Sequence, residues 1–157
     1  MIRWLLYLPL NIVMGISVLF LAPLAVALFS TPDKLHLVRL HWLETLDNDL
    51  SGDDGWKSEH LIGKDPLTWL NRTRWLWRNG GNTVNYQILG CKDDPEWREK
   101  QDRTLGYWKR PDGYWLFRKP LKLTDKYFID RFFGWNILGS QQGMCKFVFT
   151  IRVKTKW

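Results

Sequence analysis

The chain has 157 residues, 45% hydrophobic, 15% aromatic and 25% charged, and its 23 Lys/Arg against 16 Asp/Glu give a formal charge of +7. That length fits one domain plus an anchor and excludes two large cores. Its two cysteines, Cys91 and Cys145, lack CxxC or Cys/His spacing, so they point to one disulfide if the domain is periplasmic and to small buried hydrophobes if it is cytoplasmic, the reading preferred here.

Arg3 is the only charged side chain before Asp33. The apolar run Trp4–Phe29 would make a helix of about 39 Å at 1.5 Å per residue, longer than a ~30 Å hydrocarbon core. The excess is accounted for if Arg3, Trp4 and Tyr7 lie in the headgroup layer and Leu10–Phe29 spans. Pro23 falls inside that span and should bend it, while Asn11, Gly15 and Ser17 mark a candidate helix-packing face. Ala25-Val26-Ala27 resembles a signal-cleavage site, but the apolar run exceeds a signal's ~7–15 residues. The expectation is a retained transmembrane anchor over residues 1–30.

Thr31-Pro32-Asp33 has the form of a helix start, with a capping hydroxyl, proline in the first turn and an acid at the positive dipole end. Leu35, Val38, Trp42, Leu43 and Leu46 then recur at helical spacing, which predicts a helix from Pro32 to Leu46. On it, His36 and His41 are five apart and share no face, so no two-histidine metal site is expected. The segment from Asp47 to Trp56 begins like a calcium loop, with Asp47, Asp49, Ser51 and Asp53 as weak candidate ligands. Position twelve is Ser58, not a bidentate acid, and a turn whose Asp and Asn bond their own backbone is the better reading.

Asp65-Pro66 opens a second amphipathic helix that runs to Asn79 and stops at Gly80-Gly81. Arg72, Arg74 and Arg78 crowd its C-terminal half, where they complement the dipole and could reach phosphates. Val84, Tyr86 and Ile88 alternate with polar residues, predicting a strand from Thr83 to Gly90. Asp94-Pro95-Glu96 should begin one helical turn in a polar loop. Arg110-Pro111-Asp112-Gly113 should turn a hairpin between Leu105–Lys109 and Tyr114–Lys119. Tyr127–Leu138 reads as a long strand with a bulge at Gly134. In the last strand Cys145, Phe147, Phe149, Ile151 and Val153 face a core and Lys146, Arg152 and Lys154 face out.

These elements amount to an α+β protein. A transmembrane helix is followed by two short amphipathic helices, and then by an antiparallel β-meander of four to five strands. The divisions are an anchor at 1–30, a helical and Asp/Gly-loop connector at 31–80 and a β domain at 81–157. Charge is uneven across them: residues 31–99 hold nine Lys/Arg against twelve Asp/Glu, whereas residues 100–157 hold thirteen against four. Arg72, Arg74, Arg78, Lys146, Arg152 and Lys154 are therefore the candidate contacts for an anionic surface, lipid headgroups first and nucleic acid second. No GxSxG, Walker, Rossmann or HExxH pattern is present, so no catalytic residue and no cofactor is assigned and a non-enzymatic role is expected.

The opening Arg3-Trp4-Leu5-Leu6-Tyr7-Leu8-Pro9-Leu10, the loop Leu46-Asp47-Asn48 to Gly52-Asp53-Asp54-Gly55-Trp56, and Arg74-Trp75-Leu76-Trp77-Arg78-Asn79 together resemble a family of small membrane-associated proteins of tailed bacteriophages and prophages. The resemblance implies a phage or prophage origin in a bacterial host and a membrane-associated product, with no activity or catalytic residue assigned. The single pass through the inner membrane is expected from residues 1–30, and a domain on the cytoplasmic side from the basic residues 100–157 held near anionic headgroups. The product's role would be host takeover or a virion component, with the bilayer and a phage or host protein as partners. The alternative is a membrane-tethered nucleic-acid-binding module.

Overall fold

A computed structural model of the chain describes residues 1–31, 36–46, 50, 54–98 and 105–155. The fold is α+β, with a long apolar N-terminal helix, a few short helices and a curled antiparallel sheet. The helices are α1 (Ile2–Phe29), α2 (Asp54–Glu59), α3 (Trp69–Asn79), α4 (Asn82–Gln87) and α5 (Pro95–Arg98). The strands are β1 (Cys91–Lys92), β2 (Gly106–Lys109), β3 (Trp115–Arg118), β4 (Leu121–Lys122), β5 (Phe128–Trp135), β6 (Met144–Cys145) and β7 (Phe147–Lys154). Two compact units result: Met1–Asn11 with Asn85–Trp157, and Ile12–Val84.

The sheet unit is organised on β5, which pairs antiparallel with β3 and β4 along one edge and with β7 along the other; β2 extends the sheet beyond β3. The predicted turn at Arg110–Gly113 closes the β2–β3 hairpin, with Gly113 at φ +90° and its N–H bonded to the Arg110 carbonyl. Gly134 is the predicted irregularity in β5. Its φ of +102° and the close approach of the Trp115 carbonyl, which a Cβ would strike, leave room for no other residue. Trp115, Leu116, Trp135, Ile137 and Phe147 are buried here. The helical turn expected at Asp94-Pro95-Glu96 is α5, whose first turn bonds the Asp94 side chain and carbonyl.

In the Ile12–Val84 unit, Leu37, Leu43, Leu50, Trp56, Trp75 and Leu76 are buried, and the indoles of Trp56 and Trp75 meet edge to face at 5.4 Å. Asn71 is wholly buried and ties down the preceding loop through both ends of its amide, giving hydrogen bonds to Ile62 O and Asp65 O and accepting one from Ile62 N. α3 begins at Trp69, later than predicted. The Asp65 carboxylate bonds Leu67 N as a local turn, and the cap is instead Thr68, whose hydroxyl accepts from Asn71 N.

Three expectations need correction. No α-helix occupies the described residues of Pro32–Leu46; residues 36–46 hold an antiparallel bridge between Ser30 and Leu37 and a single 3-10 turn at His41–Leu43. The Glu44 carboxylate accepts from Leu37 N and folds the chain back, so Leu37 and Leu43 are buried and Val38 is exposed. Second, Thr83–Gly90 is not a strand. Thr83 N and Oγ1 both bond Glu44 O, which starts the chain into α4, and only Val84 of the alternating set is buried. Third, the face predicted as core in the last strand is covered only at its start: Phe147 is buried, whereas Phe149, Ile151 and Val153 are exposed, and Val148 on the other face is buried. Cys145 belongs to β6, which pairs with β1.

Candidate functional site

Register divides the sheet into two faces of contrasting chemistry. On one face Asp130 stands opposite Arg152, with Lys154 and Arg118 nearby. The Asp130 carboxylate is buried and receives Arg118 Nε and Nη2 at 3.3 Å each, Lys154 Nζ at 3.2 Å and Arg152 Nε at 3.9 Å. Burial works to raise its pKa, but the Arg118 and Lys154 bonds outweigh it and hold Asp130 below the usual carboxylate range. Arg152 and Lys154 are therefore partners of an internal acid. Lys146 is half-buried at the β6–β7 step, 6.0 Å from the Tyr86 ring, and desolvation, helped by Arg152, pulls its pKa to about 8.

The opposite face is apolar except for Arg131, whose guanidinium lies 5.9 Å from the Phe117 ring. Trp135, Phe133, Arg131 and Ile129 of β5 pair across to Phe147, Phe149, Ile151 and Val153 of β7, and Ile129 also meets Leu121 of β4. The first turns of α1 lie on its broad end. Trp4 is buried there with ring centroids 5.6 Å from Trp115, 5.9 Å from Phe147 and 6.0 Å from Phe149, and its indole N–H donates to Val148 O. Tyr7 meets Phe147, and Arg3 donates to the Tyr114 hydroxyl at 2.8 Å while its guanidinium lies over that ring. Beyond Trp4 the face is open: Ile151 is 61% and Val153 62% exposed, with Leu121 exposed beside them.

In the other unit α1 is covered on one stripe. Met14, Val18, Ala22, Ala25 and Val26 recur at helical spacing and are buried, while Val13, Ile16, Phe20 and Leu24 on the far side are exposed. α3 meets this part of α1 through two indoles. Pro23 has no N–H, so the Leu19 carbonyl four residues earlier loses its intrahelical donor, and Trp77 Nε1 supplies one at 2.9 Å. Trp69 Nε1 donates to Pro23 O at 3.0 Å, and the glycines after α3 pass close to Val18 and Met14. Of the arginines on α3, Arg72 is buried and donates to Ser30 Oγ and Thr31 O. Arg74 is half-buried, and the Arg78 guanidinium lies 6.0 Å from the Trp56 ring.

Asp47, Asp49, Ser51 and Asp53 lie outside the described residues. A different cluster does converge: His36, His41 and Glu44, whose ligand atoms lie within 4.8 Å of one another. The turn that replaces the expected helix brings the two imidazoles to 5.6 Å, which spacing on a helix could not show.

Residues 1–156 match the model described as Family of unknown function (DUF7338). The chain belongs to that family. No curated protein matches it. No solved structure does either.

Proposed function

We propose that this protein is a non-enzymatic, membrane-associated module that rests on one leaflet rather than crossing the bilayer. The observation that carries the reading is α1, 28 residues long with no charge after Arg3, closed by protein on its Met14–Val26 stripe and open on the apolar side away from it. An all-apolar helix covered by protein on one stripe leaves lipid as the natural neighbour of the rest of its surface. A spanning arrangement would take α3 along with it. Arg72 of α3 is held at the end of α1 by Ser30 and Thr31, but Arg74 and Arg78 lie toward the end of α3 that packs beside Leu19 and Val18, deeper in a spanning arrangement, and an arginine costs at least ~2.5 kcal/mol at mid-bilayer. Lying in the interface, α1 sinks its open face among acyl chains while Arg74 and Arg78 remain at headgroup depth. The sheet unit offers an exposed apolar patch of its own, Ile151, Val153 and Leu121, and Leu5 and Leu6 of the first helical turns are exposed as well. This replaces the basic strand as the favoured lipid contact, because Arg152 and Lys154 are engaged by Asp130. The resemblance to tailed-phage products supports the cytoplasmic leaflet of a bacterial host as the setting.

The test is flotation of the full-length chain with vesicles of graded anionic content, alongside Ile151→Asp/Val153→Asp. Binding that depends weakly on lipid charge and falls in the double variant supports the reading. Binding governed by lipid charge and untouched by the double variant overturns the apolar contact in favour of the basic residues.

A further inference from the structure

We infer that His36, His41 and Glu44 form a binding site for a divalent first-row transition metal of the zinc class. His36 Nδ1 lies 3.5 Å from Glu44 Oε1 and His41 Nδ1 lies 3.2 Å from Glu44 Oε2. Ligand atoms around a tetrahedral ion with bonds of about 2.0–2.1 Å are roughly 3.3–3.4 Å apart. The two histidine–glutamate spacings lie near that value, one to each carboxylate oxygen, and all the ligand atoms are within 4.8 Å, so rotation of the exposed imidazoles closes the site on one ion. The donor set is two imidazole nitrogens and one carboxylate oxygen, borderline-soft and open-sided, which suits zinc, cobalt or nickel and not calcium or magnesium.

The carboxylate is fixed before any ion arrives. Glu44 is buried, Oε1 accepts from Leu37 N, and its backbone oxygen is held by Thr83 N and Oγ1. Such outer bonds orient a ligand and sharpen affinity. The imidazoles are the open half of the site, with side chains 48% and 61% exposed, so the ion has an entry path and at least one position for water. Both rings aim Nδ1 at the one carboxylate, with their centroids 5.6 Å apart, so three donor groups already converge on one place. A single cation satisfies three lone pairs at once, leaving both Nε2–H groups to solvent.

The experiment uses the full-length chain in detergent, stripped with chelator and titrated with Zn²⁺ by calorimetry and with Co²⁺ by visible absorption. The wild type should bind one ion per chain at micromolar or tighter affinity, with a cobalt ligand-field band. His36→Gln/His41→Gln keeps polar groups able to bond Glu44 while removing the imidazoles, and should abolish the site with an unchanged melting temperature. His60→Ala should bind as the wild type does. The inference is overturned if the wild type shows no saturable binding, or if the double glutamine variant retains it.

Discussion

Trp77→Phe in α3 removes an indole N–H and keeps an aromatic ring, and the cost should come from α1. Pro23 deprives Leu19 O of its helical donor, so the Trp77 bond at 2.9 Å is the partner the structure provides for that carbonyl. Losing it leaves an unsatisfied acceptor, about 1–3 kcal/mol where water is scarce and near the low end where water can replace the donor. Trp77 is 46% exposed, so the size of the loss reports what covers it. For a chain of this size each kcal/mol lowers the melting temperature by roughly 2–4 °C. The assay is thermal unfolding of the full-length protein in lipid nanodiscs, in a double-mutant cycle with Pro23→Ala. In the alanine background residue 23 donates to Leu19 O itself, so Trp77→Phe should then cost only its lost ring area. The expected coupling is at least about 1 kcal/mol. Equal losses in the two backgrounds, within the ~0.5 kcal/mol scatter of additivity, would refute the reasoning.

Asp130 should set the acid limit of the sheet unit. Its native pKa is depressed below the ordinary 3.8, so its contribution is full above that value and is lost as pH falls through the lower native one. Asp130→Asn should cost roughly 1–3 kcal/mol at pH 7, because it strands three cations whose side chains are part-exposed, and should flatten that acid dependence in a melt-versus-pH series. Lys146 works in the opposite sense. With its native pKa drawn from 10.5 to about 8, its charge opposes folding below pH 8, and that penalty shrinks as pH rises toward 10.5. Lys146→Met should therefore raise the melting temperature at pH 7 and lose its advantage at high pH.

Much of this architecture is written in short-range signals. The uncharged run specifies α1, Pro111-Asp112-Gly113 specifies the β2–β3 turn, and Gly134 marks its own irregularity because nothing larger tolerates that backbone. What escaped depends on partners distant in the chain or on which side of an element is covered. Val38, Trp42 and Leu43 fit a helical stripe, but Glu44 captures Leu37 N and makes a turn. Val84, Tyr86 and Ile88 alternate as a strand would, yet Thr83 is drawn to Glu44 O, 39 positions away. Phe149, Ile151 and Val153 do share a face, and alternation alone could not say that Trp4 covers only its first part. His36 and His41 become neighbours through that same turn, so the candidate metal site is invisible from spacing.

The central claim is that α1 lies in one leaflet. Lys109→Cys on β2, beside the start of α1, and Lys57→Cys on α2, beyond its end, are both at exposed polar positions, and the native cysteines are buried. Labelling right-side-out and inverted vesicles with a membrane-impermeant maleimide reads which side each position occupies. An interfacial helix predicts that both positions react from the same side of the membrane, whereas reaction from opposite sides would show that the helix crosses and contradict the account.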